Sequence, residues 1–259
     1  MWYSLPPTPS NPVGEPDDSG AGAPPRTAPR WWRHALGAAA VTVVVFAIFQ
    51  ALTWPDVGKL AQENPQTTAF LDRVRRQAGG DGAVAPLRWI SYDRLSPHLK
   101  RAVLVSEDID FFSHWGFATD ELQTALGELL KGERIRGAST ITQQLAKNLW
   151  LSSSRNPWRK LKEAMLTLQL ERTLSKRRIL ELYLNTAQLG PKEFGAENAA
   201  RRFFDKSAGD LTESEAAALA AALPSPSRWH PASGRRAAAH RQRLILARMR
   251  KAEWLFKVI

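Results

Sequence analysis

Val105-Ser106-Glu107-Asp108-Ile109-Asp110-Phe111-Phe112-Ser113-His114-Trp115-Gly116 (VSEDIDFFSHWG) follows directly on an apolar run and sets two adjacent carboxylates at its end. Ser96-Pro97 opens that run as an N-cap with proline at the first helical position. Leu99, Ala102, Val103, Ser106 and Glu107 then recur at i, i+3, i+4, i+7 and i+8, which predicts a helix with one stripe facing a core. Glu107 falls in register with the stripe, while Asp108 is turned about 100° away from it. A carboxylate held partly out of water loses some preference for its charged form and trades protons more readily near neutrality. The plainer reading is a helix-end acid pairing with Lys100 or Arg101, and spacing alone favours it.

Helical patterns continue along the chain with little strict alternation. Asn156-Pro157 repeats the cap-and-proline arrangement, and Thr212-Glu213-Ser214-Glu215 is a capping box ahead of an alanine-rich helix closed by Pro224. The class is all-α, with one folded domain over 86–256 and a mixed connector over 55–85 that ends in Gly79-Gly80-Asp81-Gly82.

Ahead of the connector, the first thirty residues hold eight of the 17 prolines and no apolar periodicity, so residues 1–30 are expected to be a disordered tail. Residues 35–54 (ALGAAAVTVVVFAIFQALTW) contain no charged side chain. Some 20 residues at ~1.5 Å each span the ~30 Å hydrocarbon core of a bilayer, so residues 31–54 are expected to form a transmembrane anchor. Trp31, Trp32 and Trp54 stand at its ends, as interfacial aromatics do. Arg26, Arg30 and Arg33 precede the span, whereas Asp56, Lys59 and Glu63 follow it. The positive-inside rule then predicts a cytoplasmic tail and a chain that is extracytoplasmic beyond the anchor.

The 36 Lys and Arg against 25 Asp and Glu leave a net charge of +11 and a pI of about 10.3, a surplus suited to an anionic partner. No cysteine is present, which excludes disulfides, thiolate nucleophiles and cysteine zinc sites.

Two further stretches bear on chemistry. In RGASTITQQLAKNLW, Ser139 is positioned to cap a helix whose buried line is Ile141, Leu145 and Leu149. The opposite arc carries Thr140, Gln143, Gln144, Lys147 and Asn148, many hydrogen-bonding groups and one cation, a set suited to a sugar or phosphate. A solvated face is the bland alternative, although such faces usually mix Glu with Lys and this one has no acid. Farther on, Glu163 has Arg159 at i−4 and Lys160 at i−3. That is either an exposed helix ion pair, which spacing alone favours, or a basic cluster for pyrophosphate holding one acid.

Taken in order, these stretches resemble the family 51 peptidoglycan glycosyltransferases, the lipid II polymerases. Glu107-Asp108-x-x-Phe111-x-x-His114-x-Gly116 resembles the first family motif, and Gly137-Ala138-Ser139-Thr140-Ile141-Thr142-Gln143-Gln144-Leu145-x-Lys147-Asn148 the second. Arg159-Lys160-x-x-Glu163-Ala164 is similar to the third, Lys176-x-x-Ile179-Leu180-Glu181-x-Tyr183-Leu184-Asn185 to the fourth, and FGAENAARRFFDK to the fifth.

The resemblance implies a lysozyme-like α-helical domain with a small membrane-associated lobe, in the bacterial inner membrane. It implies Glu107 as the base that takes a proton from the acceptor sugar's 4-hydroxyl, with inversion at the donor and release of undecaprenyl pyrophosphate. Ser139, Thr140, Gln144, Lys147, Asn148, Arg159 and Lys160 would bind the donor, with Asp108, Phe111 and His114 as support. Glu163 would assist the leaving pyrophosphate, with Mg2+ or Mn2+ as its metal. The implied partners are lipid II, the growing glycan, the bilayer and other cell-wall synthesis and division proteins, with no nucleic acid.

Asp205 stands where that family usually has glycine, which predicts an altered local turn, and AQLGPKEFG departs from the commoner loop. No Ser-x-x-Lys or Lys-Thr-Gly signature appears, so neither peptide cross-linking nor acylation by penicillin is expected. Residues 117–136, punctuated by Gly127 and Gly132 and followed by Gly137, are expected to be mobile without lipid. Two competing readings are a lytic glycan-cleaving enzyme of the same fold and a membrane-anchored binding protein docking through its basic helix, Arg235 to Lys251.

Overall fold

A computed structural model describes residues 31–80, 84–117, 139–152 and 156–259. The expectation for 117–136 therefore falls, apart from Phe117, outside the described residues. The chain divides into two compact units, Met1–Trp54 and Pro55–Ile259.

In the first unit, α1 (Trp31–Leu52) is one continuous helix. Its apolar span His34–Leu52 has a mean hydropathy of 2.3, and none of it is buried against protein. Such a surface is at odds with water and suited to lipid, where backbone groups must be satisfied within the segment. Its hydroxyls follow the same rule: Thr42 Oγ1 donates to the Ala38 carbonyl at 2.9 Å and Thr53 Oγ1 to that of Phe49 at 2.7 Å.

The second unit runs α2 (Ala69–Gln77), α3 (Pro97–Glu107), α4 (Ile141–Trp150), α5 (Pro157–Thr173), α6 (Lys176–Thr186), α7 (Ala196–Phe204), α8 (Glu213–Ala222), a single turn α9 (Pro226–Trp229) and α10 (Arg236–Lys251). Every regular element among the described residues is helical, with an isolated antiparallel bridge between Gln188 and Phe194. Two packed groups make the core. The alanines of α8 let it lie between α3 and α10, while α4 packs against α2, α5 and α6.

Helix α3 is more deeply placed than a single stripe would require. Lys100 and Arg101 are buried together with Leu99 and Ala102 through Val105. Both bases have partners away from Glu107. Lys100 Nζ donates to the Tyr92 carbonyl at 3.3 Å and sits 4.2 Å over that ring, and Arg101 pairs with Glu213 at 2.6 Å. The helix-end pairing favoured by spacing is thus not formed.

Two caps also differ from the sequence reading. Ser96 does precede α3, but its hydroxyl donates to the Leu211 carbonyl rather than capping. Thr140, not Ser139, caps α4, in a reciprocal capping box with Gln143. Thr140 wins because Gln143 stands three residues on from it, at the position that reaches back to the cap amide.

The connector is part of the folded unit, which begins at Pro55 rather than Pro86. Val57 is buried, and Arg178 on α6 donates to the carbonyls of Leu60 and Glu63 and to the side chain of Asn64. Farther on, Arg73 on α2 donates to the Leu151 carbonyl at 3.0 Å, closing the end of α4. Apart from Leu71 and the half-buried Phe70 and Val74, α2 is polar, so composition hides its packing.

Asp205 keeps the left-handed turn that glycine would supply, with φ +55° and ψ +37° at the C-cap of α7. Asp is among the few side chains that adopt this region at modest cost. Gly195, at the other end of α7, has φ +82°, and a Cβ there would stand 2.5 Å from the Asn185 carbonyl oxygen. Opposite effects are expected at the two ends. Gly195→Ala should cost about 3 kcal/mol, lowering the thermal midpoint by about 6–12 °C, whereas Asp205→Gly should leave it unchanged or raise it by about 1–3 °C. Thermal melting of the detergent-solubilised protein checks both.

Candidate active site

The site forms where the end of α3 meets the start of α4. Asp108 makes the joint: its Oδ2 accepts the Ile141 amide of α4 at 3.0 Å, and its Oδ1 lies 2.7 Å from His114 Nε2. The Gly116 amide donates to His114 Nδ1 at 3.1 Å, so the ring proton resides on Nε2 and is donated to Asp108. Phe111 is fully buried, with its ring against His114 and with Lys176 Nζ 4.5 Å over its face. Asp108 is thereby held away from Glu107, although the two are neighbours in sequence.

Glu107, the last residue of α3, has each oxygen held separately. Oε1 accepts from Ser106 Oγ at 2.8 Å and pairs with Arg241 Nη2 of α10 at 3.0 Å. Oε2 accepts from Gln144 Nε2 at 3.1 Å. The Gln144 amide is itself fixed, because Nε2 also donates to the Ser139 carbonyl and Tyr183 Oη donates to Oε1 at 2.9 Å. Burial pushes the Tyr183 phenol well above its usual range, and the charges of Glu107 and Asp108 push it further. It therefore remains a neutral donor and keeps the amide nitrogen toward Glu107.

Glu163 on α5 is buried, with Arg159 at 2.8 Å on one oxygen and Lys160 on the other. A divalent cation needs several free oxygens, and both oxygens of Glu163 are taken by cations. Among the described residues no group of three or more His, Asp or Glu gathers to hold a metal. The residues present do not fit a protein-held Mg2+ or Mn2+ at Glu163. What the carboxylate does is hold two cations in place.

Two recesses lie at the joint between α3 and α4, one lined by Gln144 and the other by Glu107. One of about 420 Å3 is lined by Gln144, Lys147, Asn148 and Arg159 together with Phe70 and Arg73 of α2, Leu223 and Pro224. Its lining holds three cations and no carboxylate. The other, about 240 Å3, holds Glu107, Asp110 and Arg248. Lys147 is open to solvent on one side, yet the surrounding wall desolvates it and moves its ammonium below the usual lysine range, with Glu163 opposing that shift and Arg159 and Lys160 adding to it.

The structure thus brings Gln144, Lys147, Asn148 and Arg159 to one cavity. Ser139, Lys160 and Glu163 stand outside its lining, with Glu163 paired both to Arg159 of the lining and to Lys160. Thr140 lines the smaller recess beside Glu107. It is buried, donating to the Gly116 carbonyl at 2.7 Å and accepting the Gln143 amide, so its hydroxyl is committed to the fold. Sequence reasoning missed Ser106, Tyr183, Phe70, Arg73 and Arg241 as parts of the site. Tyr183 stood within a quoted motif; Arg241 is 134 residues from Glu107 and no local pattern points to it.

Comparison with known proteins places the chain among relatives of one kind. Residues 80–250 match the family model described as Transglycosylase. A biosynthetic peptidoglycan transglycosylase of Methylobacillus flagellatus is 43% identical over 227 residues, covering 86% of this chain and 97% of that protein. One from Azoarcus sp. is 44% identical over 228 residues, covering 86% and 96%. One from Alcanivorax borkumensis is 45% identical over 195 residues, covering 75% and 78%.

The lowered Lys147 predicts a pH effect on anion binding. Its proton leaves at a lower pH than an ordinary lysine's, so the cavity loses one cation on the alkaline side. Calorimetric binding of inorganic pyrophosphate should weaken by about tenfold as pH rises toward the usual lysine range, whereas Lys147→Arg, which stays charged, should hold its affinity across that interval.

Proposed function

The chain belongs to the transglycosylase family, and from that premise we infer that it is a peptidoglycan glycosyltransferase polymerising lipid II into glycan strands. The observation that supports the site assignment is the opposition, across Gln144, of an anchored carboxylate and a cavity carrying cations without a carboxylate. A lytic enzyme of the same lysozyme-like fold needs the carboxylate but has no use for the cations.

On this reading Glu107 accepts the proton of the acceptor 4-hydroxyl as that oxygen bonds to the anomeric carbon of the donor. The bond from that carbon to the pyrophosphate oxygen breaks on the opposite face, and the electron pair leaves with undecaprenyl pyrophosphate. A positioned base contributes about 10²–10⁴ in rate. Negative charge grows on the leaving oxygens where Lys147 and Arg159 line the cavity. Glu163, by holding Arg159 and Lys160, keeps two cations oriented before substrate arrives, so that little reorganisation accompanies charge development.

The helix α1 is compatible with a membrane anchor. We place the tail in the cytoplasm and the folded unit outside the inner membrane, where a lipid-borne substrate presents its sugar. Single-cysteine labelling tests this cleanly because the chain has no native cysteine. A membrane-impermeant maleimide applied to intact spheroplasts should label Ser91→Cys and spare Ser10→Cys. Other cell-wall synthesis and division proteins are proposed as partners on the resemblance alone.

Glu107→Gln should lower polymerisation of labelled lipid II by about 10²–10⁴ while leaving the melting temperature within about 2 °C. Activity retained in that variant would overturn the assignment of the base. Mg2+ titrated alone into the protein should give no binding heat, in keeping with the occupied oxygens of Glu163.

A further inference from the structure

Glu107 ends α3, where the unsatisfied carbonyls of a helix C-terminus disfavour a negative charge. A base must nevertheless be ionised before it can accept a proton. Neighbouring groups from each packed element show what offsets that handicap. On α3 itself, Lys100 and Arg101 are committed elsewhere. The turn beyond adds the carboxylates Asp108 and Asp110, with His114 held by Asp108. Tyr183 of α6 is neutral, and Lys147 of α4 lines the other cavity. From α10 come two guanidinium groups. Arg248 donates to the Val105 carbonyl at 3.4 Å, and Arg241 reaches Glu107 Oε1 at 3.0 Å and Ser106 Oγ at 3.3 Å.

We infer that Arg241 is a positioning residue for the reaction, its guanidinium holding the Glu107 carboxylate in a fixed orientation beside the smaller recess. This rests on the reading of Glu107 as the base. Two observations separate the role from ordinary packing. Helix α10 is seated without Arg241, since Ile245 and Met249 are buried and Gln242 donates to the Ser214 carbonyl at 2.9 Å. Arg241 also leaves its Nε buried with no partner, an unfavourable arrangement for stability alone.

The experiment measures kcat and KM for lipid II polymerisation by the detergent-solubilised full chain and its Arg241→Gln, Arg241→Met and Arg241→Lys variants. Loss of the guanidinium should lower kcat by about tenfold while KM changes by less than about twofold in both neutral variants. Arg241→Lys, which keeps a cation beside Glu107, should return kcat toward the parental value. An unchanged kcat overturns the inference. So does a neutral variant in which KM rises and kcat holds, which would make Arg241 a substrate contact, and so does a lysine variant no nearer the parent than glutamine. If neither neutral variant folds by circular dichroism, the residue is structural and the inference also fails. Glu107→Gln run alongside keeps the two readings apart: if it remains active the base assignment falls, and if it is inactive while kcat is unchanged in the Arg241 variants only the role of Arg241 falls.

Discussion

The candidate site depends on one carboxylate that is committed to the fold. Asp108 accepts the first amide of α4 and the Nε2 proton of His114, and so joins the end of one helix to the beginning of another. Without a partner the Ile141 amide would be an orphan donor in a protein interior, and such groups are expensive to leave unmade. Because Asp108 answers that demand, its neighbour Glu107 is left on the other side of the turn to face Gln144. Gly116 completes the joint. Its φ is +79°, and a Cβ there would lie 2.7 Å from Thr167. Only a residue without a side chain lets the turn close onto α5 while its carbonyl receives the Thr140 hydroxyl.

Much of this was legible in the sequence, for reasons that differ by element. Helices with local signals were readable: the capping box at Thr212, the proline after Asn156, the uncharged span from His34 to Leu52. The placement of Glu107, Gln144, Lys147 and Arg159 came from the order of motifs. Spacing alone argued for an ion pair between Glu107 and a base on its own helix, which the burial of Lys100 and Arg101 forbids. What could not be read is tertiary. Arg241 reaches the site because α10 packs on α8, and α8 on α3. Likewise α2 enters the cavity wall through Phe70 and Arg73 although its sequence reads as a polar connector. Thr140 was misplaced because one residue of helix phase separates a cap from an exposed face.

The second carboxylate shows why a spacing argument and a structural one can name the same pair and differ on its meaning. An exposed Glu with bases at i−3 and i−4 is worth a few tenths of a kcal/mol, about the scale of thermal noise. Glu163 makes the same pairs, but its side chain is only 4% exposed, while those of Arg159 and Lys160 are 20% and 58% exposed. The acid is desolvated, Arg159 largely so and Lys160 much less, so the arrangement favours presentation of positive charge at a surface over stability. Breaking such a pair leaves a buried charge without compensation, which is where the cost lies.

The same consideration limits what net charge says about function. A surplus of eleven positive charges suggests an anionic partner, yet several cations near the site are matched by buried or half-buried acids: Lys176 by Glu171, Arg178 by Glu181, Arg241 by Glu107. A cation held by a carboxylate has its geometry decided by the fold, and its field at longer range is largely cancelled. The surplus therefore resides mostly elsewhere, including along α10, which has six Lys and Arg besides its one His, and no acid, over Arg236–Lys251. That excess acts at a distance and is screened by salt. The cavity acts at contact. Its three cations face a lining with no carboxylate, although Arg159 among them is paired with Glu163 behind it, and the wall already depresses the lysine, so an anion entering there meets an excess of positive charge at contact. Global charge sets how readily an anionic surface is approached; the local imbalance selects which group is stabilised, and only the second is specific enough to support a reaction.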